Sequence, residues 1–230
     1  MKKILLFFAI VSVAGMLASC NGNGKTAEAG SEENATEENA EDVGFLQGFA
    51  YVDLGLSVNW ATCNVGANAP EEVGDYFAWG ETSKKDNYTA ESNKYFEKQG
   101  EFVPEYTKYN SDDNLTKLEA DDDAATSNWG TSWRTPTKDE FKELIEKCTW
   151  TWKGNGYEVK GANGKCIFFP VTGTYSGDKL FNEKIDGFYW ASTMYSSSKA
   201  EYMAFSELIE PHNSNGGRYD GQCVRPVCAK

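Results

Sequence analysis

Apolar and polar positions alternate in different rhythms along the chain, and each rhythm predicts a different element. Residues 4–14 form an almost unbroken apolar run, interrupted only by Ser12. Farther on, Val52, Leu54, Leu56, Val58 and Trp60 alternate with Asp53, Gly55, Ser57 and Asn59. That period of two predicts a strand buried on one face, with Gly55 marking a turn or bulge within it. Phe141, Leu144, Ile145 and Cys148 instead recur at helical spacing, with Lys138, Asp139, Lys142, Glu143 and Glu146 on the opposite face. Two starts fit this helix: Thr135 as N-cap with Pro136 at the first helical position, or Thr137 with Glu140 as a capping box. A shorter helix is expected over residues 121–127, its acidic start favoured by the helix dipole. Beyond residue 150, segments 165–171, 187–194, 200–206 and 222–227 read as strands between glycine- and asparagine-rich turns, with Pro226 at a strand end. One or two helices among consecutive strands predict an α+β domain with an antiparallel sheet.

The apolar run at the start has a different meaning. It follows Met1-Lys2-Lys3 and is followed by Leu17-Ala18-Ser19-Cys20, the layout of a secretory signal. It is shorter than the roughly 20 apolar residues of a membrane span. Leu-Ala-Ser-Cys resembles the lipobox of bacterial lipoproteins, which implies cleavage after residue 19 and acyl chains on Cys20. Acyl chains bury about 0.8 kcal/mol per methylene and give stable anchoring when several act together. Residues 21–44 carry seven acidic side chains, one lysine and no aromatic residue, so a disordered, self-repelling tether is expected. Asn21 and the acidic run resemble the sorting and export signals of Bacteroidetes surface lipoproteins. The expected organisation is a signal over 1–19, a lipidated cysteine and tether over 20–44, and one domain over 45–230.

Charge narrows the function. The chain has 22 basic and 35 acidic side chains, a net −13, and a single histidine. Such a surface repels phosphate backbones, so nucleic-acid binding is excluded as a function class, and one histidine rules out a multi-histidine metal site. Gly22-Asn23-Gly24-Lys25-Thr26 lacks the first glycine of a phosphate loop and follows no strand.

Several blocks in order carry a wider resemblance. They are residues 51–66, Gly74-Asp75-Tyr76-Phe77-Ala78-Trp79-Gly80-Glu81, Asp122-Asp123-Ala124-Ala125, Trp129-Gly130, and Trp133-Arg134-Thr135-Pro136-Thr137. Ile167-Phe168-Phe169-Pro170, Tyr189-Trp190-Ala191-Ser192 and Val224-Arg225-Pro226-Val227 follow. Together they resemble a Bacteroidetes lipoprotein family related to the Fibrobacter succinogenes major paralogous domain. The resemblance implies a C-type-lectin-like fold whose N- and C-terminal strands pair and whose late loops form the ligand surface. Trp133-Arg134-Thr135-Pro136-Thr137 also resembles the matching segment of formylglycine-generating enzymes, but no stretch matches their copper-binding cysteine pair. A shared fold does not transfer chemistry.

With Cys20 acylated, five cysteines remain, and the resemblance makes Cys63 with Cys228 and Cys166 with Cys223 candidate disulfides. Lectin-type sugar binding through calcium uses Glu-Pro-Asn and Trp-Asn-Asp, whereas this chain has Glu210-Pro211-His212 and no Trp-Asn-Asp. Asp112-Asp113 and Asp121-Asp122-Asp123 lack EF-hand spacing. No cofactor or metal is therefore expected. His212 is the one imidazole, with no Gly-x-Ser-x-Gly elbow to accompany it. The late loops, 195–199 and 207–219, are rich in Ser, Asn, Gly and Tyr, as adaptable binding loops are. Their candidate ligand contacts are Tyr195, Glu207, Glu210, His212, Asn213, Asn215, Arg218 and Tyr219. The sequence thus predicts a non-catalytic module for binding or adhesion, lipid-anchored in the outer membrane and facing outward, with a glycan or protein ligand. An envelope enzyme or accessory factor acting on polysaccharide is the second reading, and a structural envelope protein the third.

Overall fold

The computed structural model describes residues 43–230, so the signal, Cys20 and nearly all of the tether lie outside the described residues. The first strands are β1 (Gly44–Leu46), β2 (Phe49–Val52), β3 (Asn59–Ala61), β4 (Phe96–Gln99) and β5 (Pro104–Tyr106). Helix α1 (Ala124–Trp129), β6 (Trp133–Arg134) and helix α2 (Lys138–Lys147) follow. Then come β7 (Thr149–Trp152), β8 (Gly156–Lys160), β9 (Cys166–Pro170), β10 (Thr174–Ser176) and β11 (Lys179–Phe181). The chain closes with β12 (Asp186–Ser196), β13 (Lys199–Ser206), β14 (His212–Gly217) and β15 (Val227–Cys228). The sheets run β1-β2-β3-β15-β6, β7-β8-β9 and β12-β13-β14, with hairpins β4-β5 and β10-β11. Every ladder between these strands is antiparallel, and with only two α-helices among the described residues the body is α+β or mainly β. β15 pairs with β3 through Val227↔Trp60, so the two ends of the domain are neighbours in one sheet.

The 52–60 alternation is not one strand. β2 and β3 form a hairpin (Val52↔Trp60), and the chain turns between them at Gly55, whose φ of +80° suits glycine. Leu54, Leu56 and Val58 still point inward at 1–7% exposure, so a buried loop imitates a strand's pattern. Helix α2 begins at Thr137, whose capping box with Glu140 is formed. Thr135 instead donates its amide and hydroxyl to Asp123. Phe141 and Leu144 are fully buried beneath α2, as the pattern requires. The shorter helix is α1, capped by Asp123 and preceded by a 3-10 turn at Ala120–Asp122.

The aromatic residues build two adjoining cores. One gathers Trp60, Phe141, Phe169, Tyr189 and Phe205. The other gathers Trp79, Tyr109, Trp129, Trp133 and Trp190. Two indoles lock segment 77–79 to β12: Trp79 Nε1 donates to Ala191 O and Trp190 Nε1 to Phe77 O, both at 2.8 Å. Arg225, fully buried, joins three distant segments. Its Nε donates to Asn64 Oδ1, its Nη1 to Ala61 O and Thr62 O, and its Nη2 to Phe168 O, with Phe169 stacked 4.5 Å away.

The disulfides implied by the resemblance are not formed: Cys63, Cys148, Cys223 and Cys228 are thiols. Cys228 lies opposite Asn59 in the β3–β15 pair, whereas Cys63 follows β3 in the bend after Ala61. Cys223 is buried against Thr172, whereas Cys166 is exposed at the start of β9. Burial holds the Cys148 thiol up at about 11 and pushes Cys223 up further, so neither is a reactive thiolate at neutral pH.

Candidate functional site

A cleft of about 830 Å³ opens between segment 117–120 and the loop from β6 into α2. Segment 116–118 runs along the edge of β12, with Met194 N donating to Thr116 O (2.8 Å) and Leu118 N to Ser192 O (2.9 Å). Asp122 follows this segment in the chain. This buried carboxylate accepts from Lys94 Nζ, Lys108 Nζ and Tyr95 Oη at 2.6 Å and from Tyr109 Oη at 2.5 Å. Burial works against its ionisation, yet these four donors hold it far below the ordinary carboxylate range.

The opposite wall is built on Asp123, which is 3% exposed. Its carboxylate caps α1 through the amides of Ala125 (2.9 Å) and Thr126 (3.1 Å), and it accepts from the Thr135 amide and hydroxyl at 2.9 Å each. Burial raises its pKa, while the Thr135, Thr126 and Ala125 donors oppose the rise. Arg134 grips Glu140 as a fork, Nη1 to Oε2 at 2.7 Å and Nη2 to Oε1 at 2.5 Å. Burial opposes ionisation of Glu140 too, but the Arg134 fork and the Thr137 amide keep it below its usual pKa. Both acids of the cleft are thus fully engaged.

The polar groups left for a ligand are few. Lys117 is exposed and makes no ion pair among the described residues. Thr131 and Ser132 are exposed hydroxyls with no side-chain hydrogen bond among those residues. Leu46, Leu118 and Ala120 supply apolar wall. None of these cleft residues stands among the contacts expected from sequence, although the Trp133-Arg134-Thr135-Pro136-Thr137 block contains its floor.

The contacts expected from sequence do not form one surface. Residues 212–217 are β14, paired along β13, and are not a loop. Tyr195, 55% exposed, lies by the β12–β13 turn, and Arg218 N bonds Ser198 O beside it. Glu207, Glu210 and His212 sit at the opposite end of the eight-residue β13, about 25 Å away at 3.3 Å per residue. Asn213 lies between them and ties β14 to α2 by donating to Lys138 O at 3.2 Å, and Asn215 sits opposite Glu201. His212 is exposed, with Nδ1 2.9 Å from Glu210 O.

Arg218 departs furthest from expectation, for it is fully buried and unable to touch a ligand. Its Nη1 donates to the carbonyls of Lys108, Tyr109 and Ser197, and its guanidinium lies 4.3 Å from the Tyr106 ring and 4.9 Å from Trp79. Burial lowers its pKa to about 10, so it stays charged. Tyr219 beside it is half-buried, and Asp220 next in line has no cation partner among the described residues. Burial lifts the Asp220 carboxyl to about 6, with the Gly217 amide opposing the rise.

Among the described residues no group of three His, Cys, Asp or Glu side chains is placed to hold a metal ion, and no helix is long and apolar enough to cross a membrane. Comparison of the chain with protein families, with curated proteins and with solved structures finds no match.

Proposed function

We propose that this chain is a lipid-anchored cell-envelope protein whose domain binds a ligand in the 830 Å³ cleft without catalysing a reaction. The observation that carries the reading is the state of the cleft's polar groups. Its two carboxylates are fixed by built-in donors, which suits a rigid binding wall better than proton transfer. The volume lies in the range of small-ligand sites, and hydrogen bonds to Asp123 and to the edge of β12 hold the cleft's loop walls. Cys20 in Leu17-Ala18-Ser19-Cys20 supplies the anchor in the outer membrane, and the acidic segment after it spaces the domain outward. The sequence blocks and the β3–β15 pairing support a C-type-lectin-like fold of the Bacteroidetes lipoprotein type.

The test expresses the full chain in a Gram-negative host and offers its membranes a panel of glycans. The expected result is retention of a subset of glycans, recovered unshortened, with palmitate label on the protein that is lost in Cys20→Ser. Shortened glycans would support the enzyme reading. Absence of both binding and label would overturn the proposal.

A further inference from the structure

We infer that the cleft takes a carboxylated sugar, a uronic-acid unit of a glycan, with Lys117 receiving the carboxylate and Thr131 and Ser132 meeting ring hydroxyls. The inference rests on the binding reading above and names its ligand class.

Charge is the first ground. The chain carries 13 more acidic than basic side chains, and its partly buried lysines are spent on that excess. Lys94 and Lys108 hold Asp122 at 2.6 Å, Lys138 holds Glu201 at 2.6 Å, and Lys85 holds Glu81 at 2.8 Å. Lys117 has no such partner among the described residues, yet it stands on the wall of the cleft. The acids facing it, Glu140 and Asp123, are held by Arg134 and by the Thr135 amide and hydroxyl. Arg134 and Glu140 pair with each other, so Lys117 is the cleft's cation with no carboxylate partner among the described residues.

Shape and hydrogen bonding select the carrier of the carboxylate. The unpartnered hydroxyls of Thr131 and Ser132 suit a polyhydroxylated ring, and Leu46 and Leu118 suit its C–H face. An acidic peptide laid along β6 as an added strand is disfavoured. Trp133 N–H already donates to Gly130 O, and its carbonyl accepts from Thr126 Oγ1. A polyphosphate chain would meet the repulsion of the acidic surface over a much longer track.

Calorimetric titration of the full chain with trigalacturonate, and with the neutral galactotriose of the same linkage, tests this. Trigalacturonate is expected to bind and galactotriose to bind at least fivefold more weakly. Lys117→Ala should weaken trigalacturonate at least fivefold without changing thermal unfolding, and Lys142→Ala on the exposed face of α2 should leave it unchanged. Raising salt from low to physiological strength should reduce the difference between the two sugars. Equal binding of both sugars, indifferent to Lys117→Ala, overturns the carboxylate assignment and leaves the cleft a binding site. Binding of neither overturns the uronate inference, and the broader reading is then decided by the glycan panel.

Discussion

Replacing Arg225 by methionine is expected to destabilise the domain by about 4 kcal/mol, a loss at the upper end of what single substitutions cause. The guanidinium is fully buried and supplies donors to four acceptors: Asn64 Oδ1 and the carbonyls of Ala61, Thr62 and Phe168. Methionine fills much of the volume but leaves those acceptors without partners, each costing about 1–3 kcal/mol when buried. Removing a desolvated charge returns part of that cost, since burial already pulls the Arg225 pKa down. The net effect stays large because the acceptors come from the turn after β3 and from β9, segments that Arg225 joins to the C-terminal strand. Lysine, lacking the planar fork, should recover only part of the loss. Urea unfolding followed by tryptophan fluorescence measures it, and a loss below about 1 kcal/mol would refute the clasp.

Asp220→Asn should act in the opposite direction. In the folded protein the Asp220 carboxyl titrates at about 6, because burial disfavours its charge, against an ordinary value of 3.8. Between these values the folded state binds the proton more tightly than the unfolded state, so stability falls as pH rises from about 4 to 6. Above pH 6 the ionised carboxylate costs about 3 kcal/mol, from two pH units at about 1.4 kcal/mol each. Asparagine is never ionised and keeps an oxygen for the Gly217 amide. The variant should gain about 2 kcal/mol at pH 7, roughly 5 °C in Tm, and nothing at or below about pH 4. Thermal melts across pH 3.5–8 check this. A variant less stable than the wild type at pH 7, or a gain independent of pH, contradicts it.

Local signals in the sequence were reliable where the governing contacts are local. The α2 stripe of Phe141 and Leu144 and the Thr137–Glu140 box depend on residues within one or two turns, and both are present. The choice against Thr135 was not legible, because its hydrogen-bond partner Asp123 lies twelve residues away. Residues 52–60 misled because Leu54, Leu56 and Val58 reach the core from a turn, so burial alternates while the backbone does not extend. Residues 212–217, His-Asn-Ser-Asn-Gly-Gly, carry no apolar period and read as a loop. They become a strand only because β13 offers its free edge.

The site was harder to see for the same reason. Lys117, Thr131 and Glu140 meet across a cleft whose walls are joined by Asp123 and by the edge of β12, and none of these pairings has a sequence period. Arg218 read as a polar loop residue because its aromatic cage, Trp79, Tyr106 and Tyr109, comes from about 110 to 140 positions earlier. Among the late-loop contacts, Tyr195 at one end of the β12–β13–β14 sheet and Glu207, Glu210 and His212 at the other are exposed.

Hydrogen–deuterium exchange of the full chain, with and without saturating trigalacturonate, tests most directly where the ligand sits. A ligand in the cleft should slow exchange in peptides covering 116–120 and 131–137 and leave 195–199 and 207–219 unchanged. Protection confined to those late segments, with the cleft peptides unaffected, would contradict the cleft as the binding site.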